Sequence, residues 1–299
     1  MTELHSRLGL LAAGPLWLAG GLLALGACTH DWDQWLPPAA PPPGTGGSGA
    51  EAGAGAGAGA QGGGGPIEVP GSCPEAPNNT PLVKVATVAG KALCIERTEV
   101  TRGLYEQWLG TSPPTGGQPA ECGWNVDFTP ASDWPPQGIG PDRPVAFVDW
   151  CDALAYCAAH GKRLCGAVGG GASPFGGYAD AELSEWFDAC TDRGHNLFPY
   201  GGSYDPKACN GKEQGLGGTG NVGELAGCRG RYEVLDLSGN LWEWEDSCTD
   251  KLDAKDSCRI RGGGFNNSAD NLDCGADATA KRDEPRVNVG IRCCANALP

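Results

Sequence analysis

The sequence predicts an α+β domain that is rich in disulfide bonds and has much irregular structure. Only a few short stretches show helical or strand periodicity. Long segments rich in Gly, Pro and Asn separate them, and the 299 residues include 50 Gly and 24 Pro. The chain also contains 15 Cys, and disulfide bonds are typical of exported domains that cannot rely on a large regular core.

Residues 1–27 have the pattern of a secretory signal. An apolar run follows Arg7 and stops at Leu25-Gly26-Ala27, directly before Cys28. Small residues before a cysteine resemble the bacterial lipobox, in which that cysteine becomes the lipidated first residue of the mature protein. We therefore predict a lipoprotein signal peptide with lipid on Cys28. An uncleaved membrane helix is the alternative, since the run is about long enough to span a bilayer.

Residues 28–70 are predicted to form a disordered tether. Gly, Ala and Pro dominate the segment, which includes Pro41-Pro42-Pro43 and the alternating Gly-Ala of residues 53–60. Such a segment has too few large apolar side chains to offset the entropy that ordering would cost. The folded domain is therefore expected over residues 71–299, and the tether would hold it away from a membrane.

The formal net charge of −15 argues against partners that need a basic surface. Nucleic acid presents phosphates and requires clustered Lys and Arg. Anionic lipid attracts basic segments for the same reason. We expect no nucleic-acid partner, and attachment to a membrane through the acyl chains on Cys28.

A hairpin and a first helix open the domain. Residues 82–88 alternate in polarity and are followed by apolar residues 92–95, which predicts two strands joined through Ala89-Gly90. Thr101 then offers an N-cap, apolar residues recur at helical spacing, and Gly110 stands where a helix would end. The sequence therefore predicts a hairpin followed by a short amphipathic helix.

Two more amphipathic helices are predicted, over residues 149–160 and 180–190. The third has apolar residues at i, i+3, i+4 and i+7 from Leu183. Glu185, Asp188 and Asp192, in and just after this helix, form an acidic cluster that would be a solvated face. Between these helices lies a glycine-rich segment that carries Cys165. No Gly-Lys-Ser/Thr follows it, so a flexible insertion is favoured over a phosphate-binding loop.

Residues 235–244 carry the most specific pattern, Leu-Asp-Leu-Ser-Gly-Asn-Leu-Trp-Glu-Trp. The segment resembles the signature of the formylglycine-generating enzyme (sulfatase-modifying factor) domain family, and further landmarks follow in that family's order across about residues 90–297. These landmarks are Pro144-Val145, Asp149-Trp150, Gly161-Lys162-Arg163-Leu164, Glu185-Trp186, Phe198-Pro199-Tyr200-Gly201, Arg261-Gly262-Gly263-Gly264-Phe265 and Gly290-Ile291-Arg292-Cys293. The resemblance implies an irregular C-type-lectin-like formylglycine-generating-enzyme fold.

The cysteine count is odd, and a lipidated Cys28 accounts for that. The other fourteen suit up to seven disulfide bonds in an oxidising compartment. Metal ligation is the alternative, but no Cys-x-x-Cys occurs. The family resemblance implies two pairs, Cys157 with Cys293 and Cys190 with Cys274. Nearness in sequence suggests two more, Cys248 with Cys258 and Cys209 with Cys228.

The same resemblance implies a structural calcium ion at the signature turn. Its ligands would be the side chains of Asp236 and Glu243 and the carbonyl oxygens of Gly239 and Leu241, which suit a hard cation. Alternatively, Glu243 pairs with an arginine while the two tryptophans beside it fill the core. Asn210 resembles a ligand of a second family calcium site, although the residues after it depart from the pattern.

The family's catalytic centre is where the sequence departs most. Family members convert a substrate cysteine to formylglycine with oxygen and a copper ion held by two cysteines, and residues 264–273 here contain no cysteine. Copper(I) needs soft thiolate ligands, so copper is not expected. No other nucleophile and base form a recognisable motif.

Two hypotheses about function follow. In the first, the chain is a membrane-tethered, extracytoplasmic, non-catalytic scaffold of a bacterial cell envelope that binds an unknown protein or small ligand. In the second, it is an active formylglycine-generating oxidase, or another oxidoreductase of the wider family, acting on protein cysteine. A copper-affinity measurement separates them.

Overall fold

The computed structural model describes residues 67–76, 80–135 and 138–299. All of them belong to one compact unit, Gly62–Pro299. No helix in this described part of the chain is both long and apolar enough to cross a membrane. The predicted signal peptide, Cys28 and most of the predicted tether lie outside it.

Packing against the domain begins slightly before residue 71, within the end of the predicted tether. Val69 is already buried. Lys84 Nζ donates to the carbonyl oxygens of Val69 at 3.1 Å and Gly71 at 3.2 Å. Ser72 forms an antiparallel bridge with Leu298. The two ends of the domain therefore meet, because the N-terminal segment is held beside the last residues of the chain.

Two four-stranded sheets form the framework. The first has the order β1-β2-β8-β3 and is antiparallel throughout. The second has the order β6-β5-β4-β7, in which β4 and β7 are parallel. The strands are β1 Leu82–Ala86, β2 Ala92–Glu96, β3 Arg163–Leu164, β4 Trp242–Cys248, β5 Ser257–Arg261, β6 Thr279–Lys281, β7 Val289–Gly290 and β8 Cys293–Asn296.

The predicted hairpin is present as β1 and β2, which pair from Leu82 opposite Glu96 to Ala86 opposite Ala92. The turn between them closes with a hydrogen bond from the Gly90 amide to the Thr87 carbonyl at 2.9 Å. Gly90 has φ of +70°, a left-handed conformation that costs glycine little. The local turn chemistry therefore decides the strand register.

Three helices pack on the sheets: α1 Arg102–Leu109, α2 Trp150–Ala159 and α3 Glu185–Thr191. The Thr101 hydroxyl caps α1 by accepting a hydrogen bond from the Leu104 amide at 3.2 Å. A capping box of Asp149 and Asp152 starts α2, with each side chain accepting from the other residue's amide. The first two predicted helices are therefore present almost over their predicted lengths.

The third helix is shorter than predicted and begins at residue 185 instead of 180. The Ser184 hydroxyl accepts a hydrogen bond from the Phe187 amide at 3.1 Å and acts as the N-cap. Residues 180–184 form a turn, and Leu183 is 38% exposed instead of buried. Serine offers the backbone a local hydrogen bond that competes with helix, so the apolar spacing extended the prediction too far.

The acidic residues of α3 and its C-cap do not form the solvated face that was expected. Glu185, Asp188 and Asp192 are all buried. The Arg163 guanidinium donates to both oxygens of Glu185, at 2.6 and 2.7 Å. Asp188 accepts from the Val88 amide at 3.1 Å. Partners from distant parts of the chain allow these carboxylates to be buried, and local charge patterning does not reveal such partners.

The glycine-rich segment after β3 is anchored and is not the free insertion that was expected. Cys165 is bonded to Cys294. The guanidinium of Arg259 lies 4.1 Å from the centre of the Phe175 ring and 3.9 Å from that of Tyr178. A guanidinium over the faces of two aromatic rings is attracted to each of them, so Arg259 holds Phe175 and Tyr178 in place. The segment therefore covers one side of the second sheet.

Seven disulfide bonds join all fourteen cysteines of the domain. Both pairs implied by the family resemblance are present, Cys157–Cys293 and Cys190–Cys274, as are the two pairs suggested by nearness in sequence, Cys209–Cys228 and Cys248–Cys258. The remaining three are Cys73–Cys94, Cys122–Cys151 and Cys165–Cys294. These bonds link sheets, helices and loops that share few regular hydrogen bonds.

Candidate functional site

The signature turn leads into β4 through several left-handed residues. Asp236, Gly239 and Asn240 have φ of 59°, 76° and 61°. A Cβ on Gly239 would lie 2.6 Å from the carbonyl oxygen of Asn210, so only glycine fits there. The Asn240 amide donates to that same carbonyl at 2.8 Å. The turn is therefore packed against the segment at Asn210 and has little freedom.

Glu243 follows this turn and is paired with an arginine. Arg292 Nε lies 2.9 and 2.8 Å from the two carboxylate oxygens of Glu243, and Trp186 Nε1 donates to one of them at 2.7 Å. Trp242 and Trp244 are buried in the core. This is the geometry of the alternative interpretation, and calcium binding at these residues stays a prediction.

Two further carboxyl groups lie beside this pair. Asp236 is 5% exposed, and its Oδ2 accepts from the Gly223 amide at 2.5 Å. Burial raises the pKa of Asp236 to about 6. Glu99 is fully buried, its carboxylate oxygens accept from no described N–H or hydroxyl group, and the carboxyl group of Asp236 lies beside it. Burial, followed by the charge of Asp236, raises the pKa of Glu99 well above its usual range.

The balance of charge in this cluster bears on whether a metal ion fits. Three buried carboxyl groups, those of Glu99, Asp236 and Glu243, face one guanidinium, that of Arg292. Buried charge without a partner is costly, and either a proton held by these acids or a divalent cation removes the imbalance. Within the described part of the chain, no three His, Cys, Asp or Glu side chains are arranged to hold a metal. Backbone oxygens would have to complete the site, as calcium permits.

Asn210, the residue that resembles a second calcium ligand, is also buried. Its Nδ2 donates to the Gly218 carbonyl and to Asn240 Oδ1, both at 3.0 Å. Its own Oδ1 is buried without a hydrogen-bond partner in the described structure. The Asn210 side chain therefore joins the signature turn to the glycine-rich loop at Gly218. Its role as a calcium ligand stays a prediction.

The segment that would carry the copper ligands is occupied by amide side chains. Asn267 Oδ1 accepts from Trp242 Nε1 at 2.8 Å and from the Gly264 amide at 2.9 Å. The nearest cysteine in sequence, Cys274, is bonded to Cys190. Only a thiolate ligates copper(I) well, and a disulfide sulfur is not one. The residues present do not fit the copper centre of the family.

A cavity of about 270 Å³ lies near this segment and was not found from sequence. Its lining includes Trp124, Asn125, Phe147, Asp149, Asp152 and Pro285. Residues 285–288 connect the cavity to the cysteine-free segment. Pro285 lines the cavity, and Asn288 Nδ2 donates to Asn266 Oδ1 in that segment at 3.1 Å. Three separate segments form the wall, so no local pattern could have revealed it.

The carboxyl groups at this cavity already accept hydrogen bonds from neighbouring residues of the fold. Asp152 accepts from Asn125 Nδ2 at 2.9 Å and from the Asp149 amide at 3.1 Å. Burial raises the pKa of Asp149 to about 6 and the pKa of Asp152 well above its usual range. The cavity therefore offers an aromatic wall beside two acids that hold protons more readily than exposed carboxyl groups do.

Comparison with known proteins finds similarity to formylglycine-generating enzymes and to a relative named as inactive. The chain is 28% identical to the formylglycine-generating enzyme of Bos taurus over 188 residues, which are 53% of this chain and 46% of that protein. It is 30% identical to the inactive C-alpha-formylglycine-generating enzyme 2 of Bos taurus over 170 residues, 52% of this chain and 50% of that protein. The matched segment thus spans about half the length of these relatives.

The structure of PvdO from Pseudomonas aeruginosa is similar in fold, with a TM-score of 0.50 and 20% identity. The alignment covers 70% of this chain and 82% of that one. The α+β, disulfide-rich, C-type-lectin-like fold that the sequence implied is therefore confirmed. Residues 63–297 match the sulfatase-modifying factor enzyme 1-like domain, and the chain belongs to that family, the formylglycine-generating enzyme family.

Proposed function

We propose that this protein is a membrane-tethered, extracytoplasmic member of the family that binds a protein or small ligand and does not oxidise cysteine. The cysteine-free segment from residue 264 to 273 carries this proposal. Support also comes from the similarity to relatives named as inactive. Domains of this family are typically extracytoplasmic or secreted, and seven disulfide bonds suit an oxidising compartment.

The cavity beside that segment is the proposed ligand site. Trp124 and Phe147 offer apolar surface, and the carboxyl groups of Asp149 and Asp152 also line the cavity. Its volume of about 270 Å³ suits a single side chain or a small molecule. Carboxyl groups on an aromatic wall favour a polar or cationic group over an anion.

We expect no conversion of cysteine to aldehyde by this protein. The purified full chain is incubated with copper(I), oxygen and a cysteine-containing sulfatase peptide, and the peptide mass is followed. The formylglycine-generating enzyme of Thermomonospora curvata, which is 33% identical over 132 residues, 42% of each chain, is the positive control. Aldehyde formed at a rate proportional to the concentration of this protein would support the alternative, an active oxidase that works without the usual cysteine pair.

We expect the mature protein to begin at a lipidated Cys28 and to lack residues 1–27. The small residues before Cys28 and the Gly/Ala/Pro-rich segment after it motivate this expectation. Mass spectrometry of the N-terminal peptide measures it directly, and Cys28→Ser is expected to abolish the acyl mass and release the domain from membranes. An intact leader joined to unmodified Cys28 would contradict the expectation and favour the uncleaved helix.

Calcium is proposed as the structural ion of the domain, on the excess of buried carboxyl groups at the signature turn. Asp236 and the carbonyl oxygens of Gly239 and Leu241 would hold it. Glu243 would contribute least, because its oxygens already bind Arg292 and Trp186. The ion would neutralise buried carboxylates and also tie together a turn that no strand ladder holds.

A further inference from the structure

We propose that the cavity near Trp124 binds an alkylammonium group, with the carboxylate of Asp149 holding the cation and the rings of Trp124 and Phe147 forming its walls. The proposal rests on this cavity being the ligand site of the proposed function, and it names the chemical class of that ligand. It is independent of the proposed absence of oxidase activity, which concerns the cysteine-free segment.

The first observation is the charge of the lining. Three carboxyl groups line the cavity, those of Asp127, Asp149 and Asp152, and among the described residues that line it there is no Lys, Arg or His. The pKa of Asp149 is raised to about 6, mainly by burial and also by the charge of Asp283 nearby. Acids grouped in a recess with no cation among them attract a positively charged ligand. The formal net charge of −15 acts in the same direction.

The hydrogen bonds of the two inner acids favour an ammonium over a guanidinium. Asp149 Oδ1 accepts from the Asp152 amide at 2.9 Å. Asp152 Oδ1 accepts from Asn125 Nδ2 at 2.9 Å, and its Oδ2 accepts from the Asp149 amide at 3.1 Å. Neither acid therefore presents two unengaged oxygens. A guanidinium is held best by both oxygens of one carboxylate, whereas an ammonium is a compact charge that one oxygen can hold.

The aromatic walls suit the same cation, because the face of an aromatic ring attracts positive charge. Trp124 is fixed in place, since its Nε1 donates to the Glu121 carbonyl at 2.8 Å. Phe147 has φ of 59°, an uncommon conformation for a bulky residue. Its amide donates to the Arg286 carbonyl at 3.0 Å, and its own carbonyl accepts from the Ala131 amide at 2.9 Å. Backbone strain of this kind is found at ligand sites, where it places a side chain that the site needs.

The alkyl part of the ligand has apolar surface to cover. Val126 lines the cavity and is 77% exposed, and Pro285 also lines it. A volume of about 270 Å³ is ample for an ammonium on a chain of about four or five carbons. Both a free alkylamine and a lysine side chain of a partner protein carry this group. The cavity is therefore matched to the shared chemistry, and binding experiments can distinguish the two sources.

The test is a titration of the full chain, in detergent at pH 8, with pentylamine. Asp149 is ionised and the amine is protonated at this pH. Binding is followed by NMR at the indole N–H of Trp124, assigned by its loss in Trp124→Phe. Pentylamine is expected to bind in the millimolar range, as about six heavy atoms allow. It should bind about fivefold or more tightly than 1-pentanol, its neutral analogue, and more tightly than propylguanidine.

The two sources of the group are compared with Nα-acetyl-lysine methylamide, which carries the same ammonium on a peptide backbone. Tighter binding than that of pentylamine would support a lysine of a partner protein. Weaker binding than that of pentylamine would support a free amine. Either result keeps the alkylammonium group as the ligand chemistry.

Asp149→Asn removes the charge and keeps the N-cap of α2, because Asn caps helices as well as Asp does. It is expected to weaken pentylamine binding by about fivefold or more and to leave 1-pentanol binding unchanged. Asp142→Asn makes the same change at an exposed acid outside the cavity and is expected to bind as the wild type does. Phe147→Leu keeps an apolar side chain but loses the ring, and should weaken pentylamine binding by about two- to fivefold.

If Asp149→Asn does not fold, Phe147→Leu and the comparison of pentylamine with 1-pentanol decide. Equal binding of pentylamine and 1-pentanol, or unchanged pentylamine binding in the folded variants, would overturn the proposal and leave the cavity as a site for a neutral ligand. The proposed function would then stand. No change at the Trp124 indole with any of these ligands would overturn the proposal together with the assignment of this cavity as the ligand site.

Discussion

Replacing Arg292 by Met is expected to lower the free energy of unfolding by about 3–5 kcal/mol. The arginine is fully buried, and its guanidinium donates to Glu243 and to the carbonyl oxygens of Glu96 and Leu235. Methionine fills much of the same volume but donates nothing. It would leave the Glu243 carboxylate buried without a cation and two carbonyl groups without donors. Denaturant unfolding monitored by tryptophan fluorescence measures the change.

Two comparison variants separate this ion pair from general loss of an arginine. Arg286→Met removes a half-exposed pair with Glu284 and is expected to cost about 0–1 kcal/mol. The double variant Arg292→Met with Glu243→Gln is expected to recover part of the loss, since no ionised carboxylate is then left alone. Equal, small losses in Arg292→Met and Arg286→Met would contradict the central role given to Arg292.

Parts of the fold were predictable because their signals are local. A Gly at a left-handed turn position and a polar N-cap are read from a few adjacent residues, which is why the hairpin at Gly90 and the helix after Thr101 were found. The start of α3 was predicted too early, because the apolar spacing includes Leu183. In the structure the hydroxyl of Ser184 caps the helix, which begins at the next residue. The disulfide pairs came from family resemblance and sequence proximity, since spacing alone does not determine connectivity.

The candidate sites were harder to predict because distant residues form them. Glu99 stands 137 positions before Asp236 in the sequence, and nothing around it suggests that the two carboxyl groups are buried side by side. The arginine partner of Glu243 was foreseen only as an unnamed alternative, because side-chain pairing depends on the packed fold. The cavity near Trp124 is lined by three separate segments of the chain, one of which is the start of α2. Local patterns identified the signature turn, whereas only the fold shows what surrounds it.

Removing the Cys157–Cys293 and Cys165–Cys294 bonds together is expected to cost more than the sum of removing each alone. The bonds close loops of 136 and 129 residues between almost the same two places. While one bond is intact, the other closes only about ten further residues, which corresponds to about 2–3 kcal/mol in the chain-entropy model. With neither bond, the long loop opens as well, and the total rises to about 7 kcal/mol.

Alanine replacements of each pair and of both pairs, compared by denaturant unfolding under oxidising conditions, measure this coupling. Cys248–Cys258 is the control, because it closes a loop of 10 residues between β4 and β5 of the second sheet, away from the other two bonds. Its small loop lies inside both long loops and shortens each by only about ten residues, so its removal should add to either single loss almost without coupling. Strictly additive losses for the two neighbouring bonds would show that the unfolded chain already holds these segments together, and that the bonds do not act through loop closure.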